Sequence, residues 1–342
     1  MASASASASA RQVAVGAGKT VHEIEDSEMS REERMLSPLV SPSESPNPSP
    51  TASPTTLPSR PKTMKRPGSA RPVLRRLPSR DEAQKAFCWL GWSPMPGSAV
   101  AEAMERCFPG TLPGSALVAR TSAVLGTKDI TPENTIFGSS ICADEINMEP
   151  GDMADQYAKL FGEVFNMGGI SGAPFVGKTG FSAFSHHVPD NGNVLILFGP
   201  HVGITSDGTI GKYLRHGQHE LSSACGAVSA AFAQCCAGQC GPDFADPNDM
   251  QQTWLRDQLA PYCQEIQEAS EPQMELVYRF YNVIKESIEA IVNNDFGSGK
   301  LVLIGGIQIN LQEPNEDHFL PLTFEIRQKG KATIDLLDGL RL

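Results

Sequence analysis

Three residues far apart in the chain carry donor atoms that could act together: Cys142 in ICADEIN, His201 in FGPHVGITSDG and Cys225 in SSACGAV. Two thiolates and one imidazole suit a tetrahedral zinc ion with the fourth position left open for water. The same residues allow a metal-free thiol hydrolase in which Cys225 is the nucleophile and His201 its base, an arrangement that gives Cys142 no role. Spacing does not decide between them. Cys142 and His201 are 59 residues apart, His201 and Cys225 are 24 apart, and no Cys-x2-Cys pair marks a compact zinc site. Core thiols and a hydrogen-bonded histidine are the plain alternative.

The elements that must position these residues are legible in outline. NVLILF (193–198) is a continuous apolar run bounded by turns, the pattern of a strand buried on both faces. His201 follows it, between a proline and a glycine-rich loop, and is expected to be exposed at the strand tip. ENTIFGSSICADEIN (133–147) reads as a short strand emptying into a loop, with Cys142 just past the strand end. In HELSSACGAVSAAFAQCCAG (219–238) a helix is expected, capped by Ser222 or Ser223, with Cys225 in its first turn. A thiol there is acidified by exposed amides and the helix dipole. Ends of strands and the start of a helix are where open α/β sheets bind ligands.

Other segments supply the frame. Ser98 is a candidate N-cap for a short helix within 89–110, and 151–165 places Met153, Tyr157, Leu160, Phe161 and Val164 on one helical face. The segment 166–193 is too rich in glycine for an ordinary helix or strand interior and implies backbone packed closely against something. Helices are expected over 247–269 and 272–294. In the second, the stripe Met274, Val277, Phe280, Tyr281, Ile284, Ile288 and Ile291 reads as core. LVLIGGIQINL (301–311) and LTFEIRQ (322–328) read as strands, giving an α/β body with a central sheet flanked by helices.

Composition divides the chain near residue 80. Residues 1–80 open on ASASASASA, continue through a Ser/Pro-rich stretch and offer nothing that can bury enough surface to order itself, so a disordered tail precedes a domain over 81–342. Of 28 Lys+Arg and 39 Asp+Glu, the tail holds 12 and 7, leaving 16 and 32 in an acidic body. An acidic body argues against nucleic acid as a partner. No apolar run of about 18 residues exists, so no membrane span is expected. The first 20 residues have the Ser/Ala-rich, acid-free composition of an organelle transit peptide, while VGAGKT (15–20) lacks the spacing and the preceding strand of a phosphate loop. Of eight cysteines, Cys235, Cys236 and Cys240 (CCAGQC) are read as packing or reversibly oxidised thiols rather than a second zinc site, and Cys88, Cys107 and Cys263 as core or surface thiols.

GISGAPFVGKTGFSAFSHHVP, LFGPHVGITSDGTIGKYLRHGQ and SSACGAV, with ICADEIN upstream, resemble the limiting-CO2-inducible protein B/C family of algae, from about residue 85 to the C-terminus. The resemblance implies a β-carbonic anhydrase-like fold and zinc held by Cys142, His201 and Cys225. It implies interconversion of CO2 and bicarbonate by attack of zinc-bound hydroxide, in a homodimer, with a family paralogue as a candidate partner. Asp144 matches the aspartate of the Cys-x-Asp motif of β-carbonic anhydrases, but Ile146 stands where those enzymes carry an arginine. Arg215 is the expected replacement partner, because a guanidinium can hold a carboxylate bidentately. His186, His187, His216 and His219 are candidate proton shuttles. The family also implies a chloroplast location, in the stroma or at the pyrenoid periphery, with cytoplasm as the alternative. The rival function is a catalytically silent scaffold of the same fold, regulated by phosphorylation of the Ser-Pro steps of the tail.

Overall fold

The computed structural model describes residues 93–292 and 298–340. The expected tail over 1–80, the first residues of the expected domain and Cys88 lie outside the described residues. Strands are β1 (Leu112–Pro113), β2 (Thr135–Ser140), β3 (Val164–Asn166), β4 (Asn193–Phe198), β5 (His201–Ile204), β6 (Lys212–Tyr213), β7 (Ser222–Ser223), β8 (Lys300–Leu311), β9 (His318–Gln328) and β10 (Ile334–Asp335). Helices are α1 (Ala99–Cys107), α2 (Gly114–Gly126), α3 (Met153–Phe161), α4 (Gly177–Ser185), α5 (Gly226–Cys236), α6 (Met250–Leu259), α7 (Cys263–Glu268) and α8 (Pro272–Ile291).

Among the described residues the main sheet runs β1-β9-β8-β4-β2-β3, with β5 continuing beside β8 and β10 beside β9. β3, β2, β4, β8 and β5 pair in parallel, and β9 returns antiparallel along β8. NVLILF is the inner strand its composition implies: every residue is buried, between β2 and β8. Successive side chains of a strand point to opposite faces. Val194, Ile196 and Phe198 accordingly join the core under α1, α5, α6 and α8, while Leu195 and Leu197 join the core under α2 and α3. The expected stripe on α8 packs into the first core through Val277, Phe280, Tyr281, Ile284 and Ile288, with Pro272 at the first helical position, where its missing N–H costs nothing. Ser98 caps α1, accepting a hydrogen bond from the Ala101 amide.

Three expectations need correction. The helix expected over 151–165 ends at Phe161, because Gly162 takes φ +95° and the chain turns into β3. The helix expected over 247–269 is broken into α6 and α7 by a 3-10 turn containing Pro261, which has no amide to continue the ladder. The glycine-rich 166–193 segment holds a nine-residue helix, α4, despite Gly177 and Gly180.

Candidate metal centre

Cys142 lies two residues beyond β2, His201 is the first residue of β5, and Cys225 is the N-cap of α5. Their donor atoms all lie within 4.8 Å of one another, and all three residues are buried. His201 is not exposed at a strand tip. After β4 the chain breaks at Gly199 and Pro200 and rejoins the sheet as β5 against the far half of β8, which covers His201 to 3% exposure. Cys225 precedes the helix rather than entering its first turn, and Ser222 and Ser223 are not caps but form β7, paired with β6.

The glycine-rich segment explains how the Cys142 loop is held. Ser171 donates its amide to Cys142 Sγ at 3.0 Å, and Ala143 donates to the Gly169 carbonyl at 3.1 Å. Gly172 has φ +89°, and a Cβ there would fall 2.5 Å from the Gly199 oxygen. The backbone on which these glycines pack is therefore the pair of loops that carry Cys142 and His201.

The two thiols face each other at 3.7 Å between sulfurs. Cys142 is pushed up by its hydrogen bond to Cys225 and by burial. Cys225 is held below the ordinary thiol value, first by the hydrogen bond from Cys142 and then, against burial, by the Val228 and Ala227 amides. This is the acidifying helix start expected for Cys225, supplied by its own first-turn amides.

His201 is oriented from behind. Its Nδ1 lies 2.8 Å from Asn310 Oδ1, while Asn310 Nδ2 donates to Asp317 Oδ2 at 2.6 Å and reaches Asn147 Oδ1 at 3.1 Å. Because the Asn310 amide nitrogen is committed to a carboxylate, its oxygen faces the imidazole, Nδ1 carries the proton, and Nε2 keeps its lone pair. That Nε2 is buried without a hydrogen-bond partner and faces the thiols. An unpartnered buried nitrogen is costly in a folded protein. Here it has the tautomer and direction of a metal ligand, so the three residues fit a zinc ion. Burial lowers the affinity of His201 for a second proton, but Cys142, Asn310 and Asp144 outweigh it and raise the pKa overall. Asp317, half-buried, is pushed up to about 6 by desolvation, against hydrogen bonds from the Leu311 amide, Asn310 and Gln308.

Asp144 and Arg215 meet. Arg215 NH2 lies 2.6 Å from Asp144 Oδ2, Arg215 Nε pairs with Glu145 at 2.8 Å, and NH1 donates to the Ser223 carbonyl at 3.2 Å and to the Ser222 hydroxyl. Arg215 sits in the connection between β6 and β7, so the hairpin that leads to Cys225 also delivers the guanidinium. Its side chain is 14% exposed, which excludes an ordinary surface arginine. Asp144 Oδ2 is also 3.7 Å from His201 Nε2, placing one carboxylate oxygen beside the ligand set. Ile146 is buried and plays no polar part through its side chain.

His186, His187, His216 and His219 lie toward the surface, and none is a hydrogen-bonding partner of the three ligands; His187 packs edge-on against Phe165. Sequence reasoning missed Asn310, Asp317 and Ser171. The signal for Asn310 was present: Gln308 and Asn310 are alternate polar residues on one face of an otherwise apolar strand that is buried almost throughout.

The profile of the limiting CO2-inducible proteins B/C beta carbonic anhydrases matches residues 111–328. No curated protein sequence matches the chain. Among solved structures, PtLCIB4, a homolog of the limiting CO2-inducible protein LCIB, is 31% identical with a TM-score of 0.64, over 68% of this chain and 98% of its own. A histidine-to-alanine mutant of PtLCIB4 superposes with a TM-score of 0.62 at 31% identity, over 69% of this chain and 98% of its own. LCIB itself, at 22% identity and a TM-score of 0.53 over 68% of this chain and 96% of its own, shares the fold. A profile match across most of the chain, on a fold that gathers two cysteines and a histidine at one buried cluster, makes this protein a member of the limiting CO2-inducible protein B/C family of beta carbonic anhydrases.

Proposed function

We propose that the chain is a zinc-dependent carbonic anhydrase, interconverting CO2 and bicarbonate in a chloroplast carbon-acquisition system, as a homodimer. The observation that carries the activity is the buried, unpartnered His201 Nε2 facing the Cys142 and Cys225 thiols, with the Asp144–Arg215 pair at the same edge. A zinc ion bound by these three ligands supplies Lewis acidity that makes water a nucleophile near neutral pH. Two thiolates balance the charge of the ion and weaken that effect relative to three histidines, so a neighbouring acceptor matters more.

Asp144 provides it. Its Oδ2 lies within reach of the ligand set, where it can accept the proton of a water hydroxyl and leave the oxygen lone pair directed at CO2. Arg215 holds that carboxylate in place through the same oxygen that lies beside His201 Nε2. Asn310 fixes the imidazole, and Ser171 steadies the Cys142 sulfur. The thiol hydrolase reading finds no such support, because the imidazole lies beside Cys142 as well as Cys225 and the two sulfurs face each other.

The test is stopped-flow CO2 hydration by the full chain, with zinc quantified on the same sample and Cys225→Ser alongside. Hydration with about one zinc per chain, both lost in the variant, is the expected result. Zinc without hydration would overturn the enzyme reading in favour of a scaffold, and absence of zinc would overturn the metal site.

A further inference from the structure

Outside the metal centre, the described residues hold a second cluster of thiols. Cys236, the last residue of α5, and Cys263, the first residue of α7, bring their sulfurs to 3.2 Å although 27 residues separate them. Cys236 is exposed and Cys263 half-buried, so the pair is open to small reagents from one side. Cys235 points inward and donates its thiol to the Arg256 carbonyl at 2.9 Å, and Cys240 is half-buried nearby. The sequence suggested only CCAGQC as a unit; Cys263 is the member supplied by the fold.

A disulfide requires sulfurs about 2 Å apart. The Cys236 and Cys263 sulfurs therefore need to approach by roughly 1 Å, a movement available to an exposed side chain at a helix end. Cys235 is less available, since oxidising it breaks its bond to the Arg256 carbonyl inside the core. The Cys142–Cys225 pair is separated by 3.7 Å but is buried and faces the third metal donor, His201.

We propose that Cys236 and Cys263 form a reversible dithiol–disulfide site that reacts with small-molecule disulfides. The Cys236 thiolate attacks one sulfur of the reagent, forming a mixed disulfide and releasing one reagent thiolate. The Cys263 thiolate then attacks the Cys236 sulfur, closing the intramolecular bond and releasing the second reagent thiolate. The two electrons lost by the cysteine pair reduce the reagent disulfide to two thiols, which take up the two protons that the cysteines give up. Because Cys263 is pushed up to about 11 by burial and by Cys236, the closing step is expected to accelerate as pH rises toward the alkaline range. The bond would tie α7 to the far end of the same helix whose N-cap is the ligand Cys225.

The experiment uses the zinc-loaded full chain treated with oxidised glutathione, blocked with iodoacetamide and digested with trypsin without reduction. Cleavage after Arg215, Arg256 and Arg279 puts Cys236 in residues 216–256 and Cys263 alone in residues 257–279. The expected product is these two peptides joined within a single chain, two hydrogen masses lighter than their sum, and separated again by dithiothreitol. The link should survive Cys240→Ser and Cys235→Ser and be lost in Cys236→Ser. Glutathione retained on Cys236 without a link overturns the proposal. So does a link that persists in Cys236→Ser, a link between chains, or protection of all four thiols by a second zinc per chain. None of these readouts depends on carbonic anhydrase activity.

Discussion

His201 donates its Nδ1 proton to Asn310 across 2.8 Å, and that bond decides which face of the imidazole the two thiols see. Removing the amide leaves the ring free to rotate or to change tautomer. Asn310→Ala is therefore expected to weaken zinc binding by about 10- to 100-fold, the usual effect of losing the partner behind a metal-bound histidine. Competition for zinc against a chromogenic chelator measures this, and unchanged affinity would show that Asn310 only fills space.

Asp144 and Arg215 are expected to act as one unit on rate and not on metal content. Asp144→Asn and Arg215→Ala should each lower CO2 hydration by about 100-fold or more while zinc stays bound. Arg215→Lys should recover only part of the loss, because a lysine cannot satisfy Asp144, Glu145 and the Ser223 carbonyl from one planar fork. A double variant as slow as either single one is the expected result; additive losses would separate their roles.

Gly172 tests the packing of the two ligand-bearing loops. An alanine there must adopt φ +89° and place its Cβ 2.5 Å from the Gly199 oxygen. Gly172→Ala should cost about 1–3 kcal/mol in urea unfolding. It should also lower zinc occupancy, since the loops carrying Cys142 and His201 are pressed apart.

Stability should respond to pH through two partly buried neighbouring carboxyls, Asp317 and Asp152. From an ordinary 3.8, Asp317 is pushed up to about 6 by burial, and Asp152 to about 7 by burial and by the neighbouring Asp317. A carboxyl raised in the folded state holds its proton more tightly there than in the unfolded chain, so its contribution to stability is lost as pH rises. The window opens near pH 4, the unfolded value, and closes near pH 7, the upper folded one. Asp152→Asn should therefore gain stability relative to the parent across that interval and show little difference below it. Melting curves at several pH values measure this, and a difference that shrinks with rising pH would reverse the argument.

What the sequence disclosed and what it withheld follow from range. NVLILF announced itself because an inner parallel strand needs no polar face, and the α8 stripe because seven positions repeat at helical spacing. Helix boundaries failed where one residue overrode a pattern, as Gly162 and Pro261 did. The burial of His201 was hidden because it depends on β8, about a hundred residues downstream, resuming its pairing after Gly199 and Pro200. Arg215 was named as a partner for Asp144 only through the family resemblance, because Ile146 stands where the motif arginine is expected and a carboxylate there needs a cation. The Cys236–Cys263 approach left no trace in the sequence, since two helices must pack before those thiols meet.

One strand sets the place of His201 in the metal centre. β8 pairs with β4 through Leu301–Gly305 and then with β5 through Gln308–Leu311, so the place of His201 is counted off along a single backbone. Sliding β5 by one residue would bring Val202 opposite Gln308 and turn the imidazole to the other face of the sheet. Zinc fingers write their ligand spacing into a short local code. In this protein the spelling is the hydrogen-bond register of a sheet, and a search for short cysteine–histidine words passes over it.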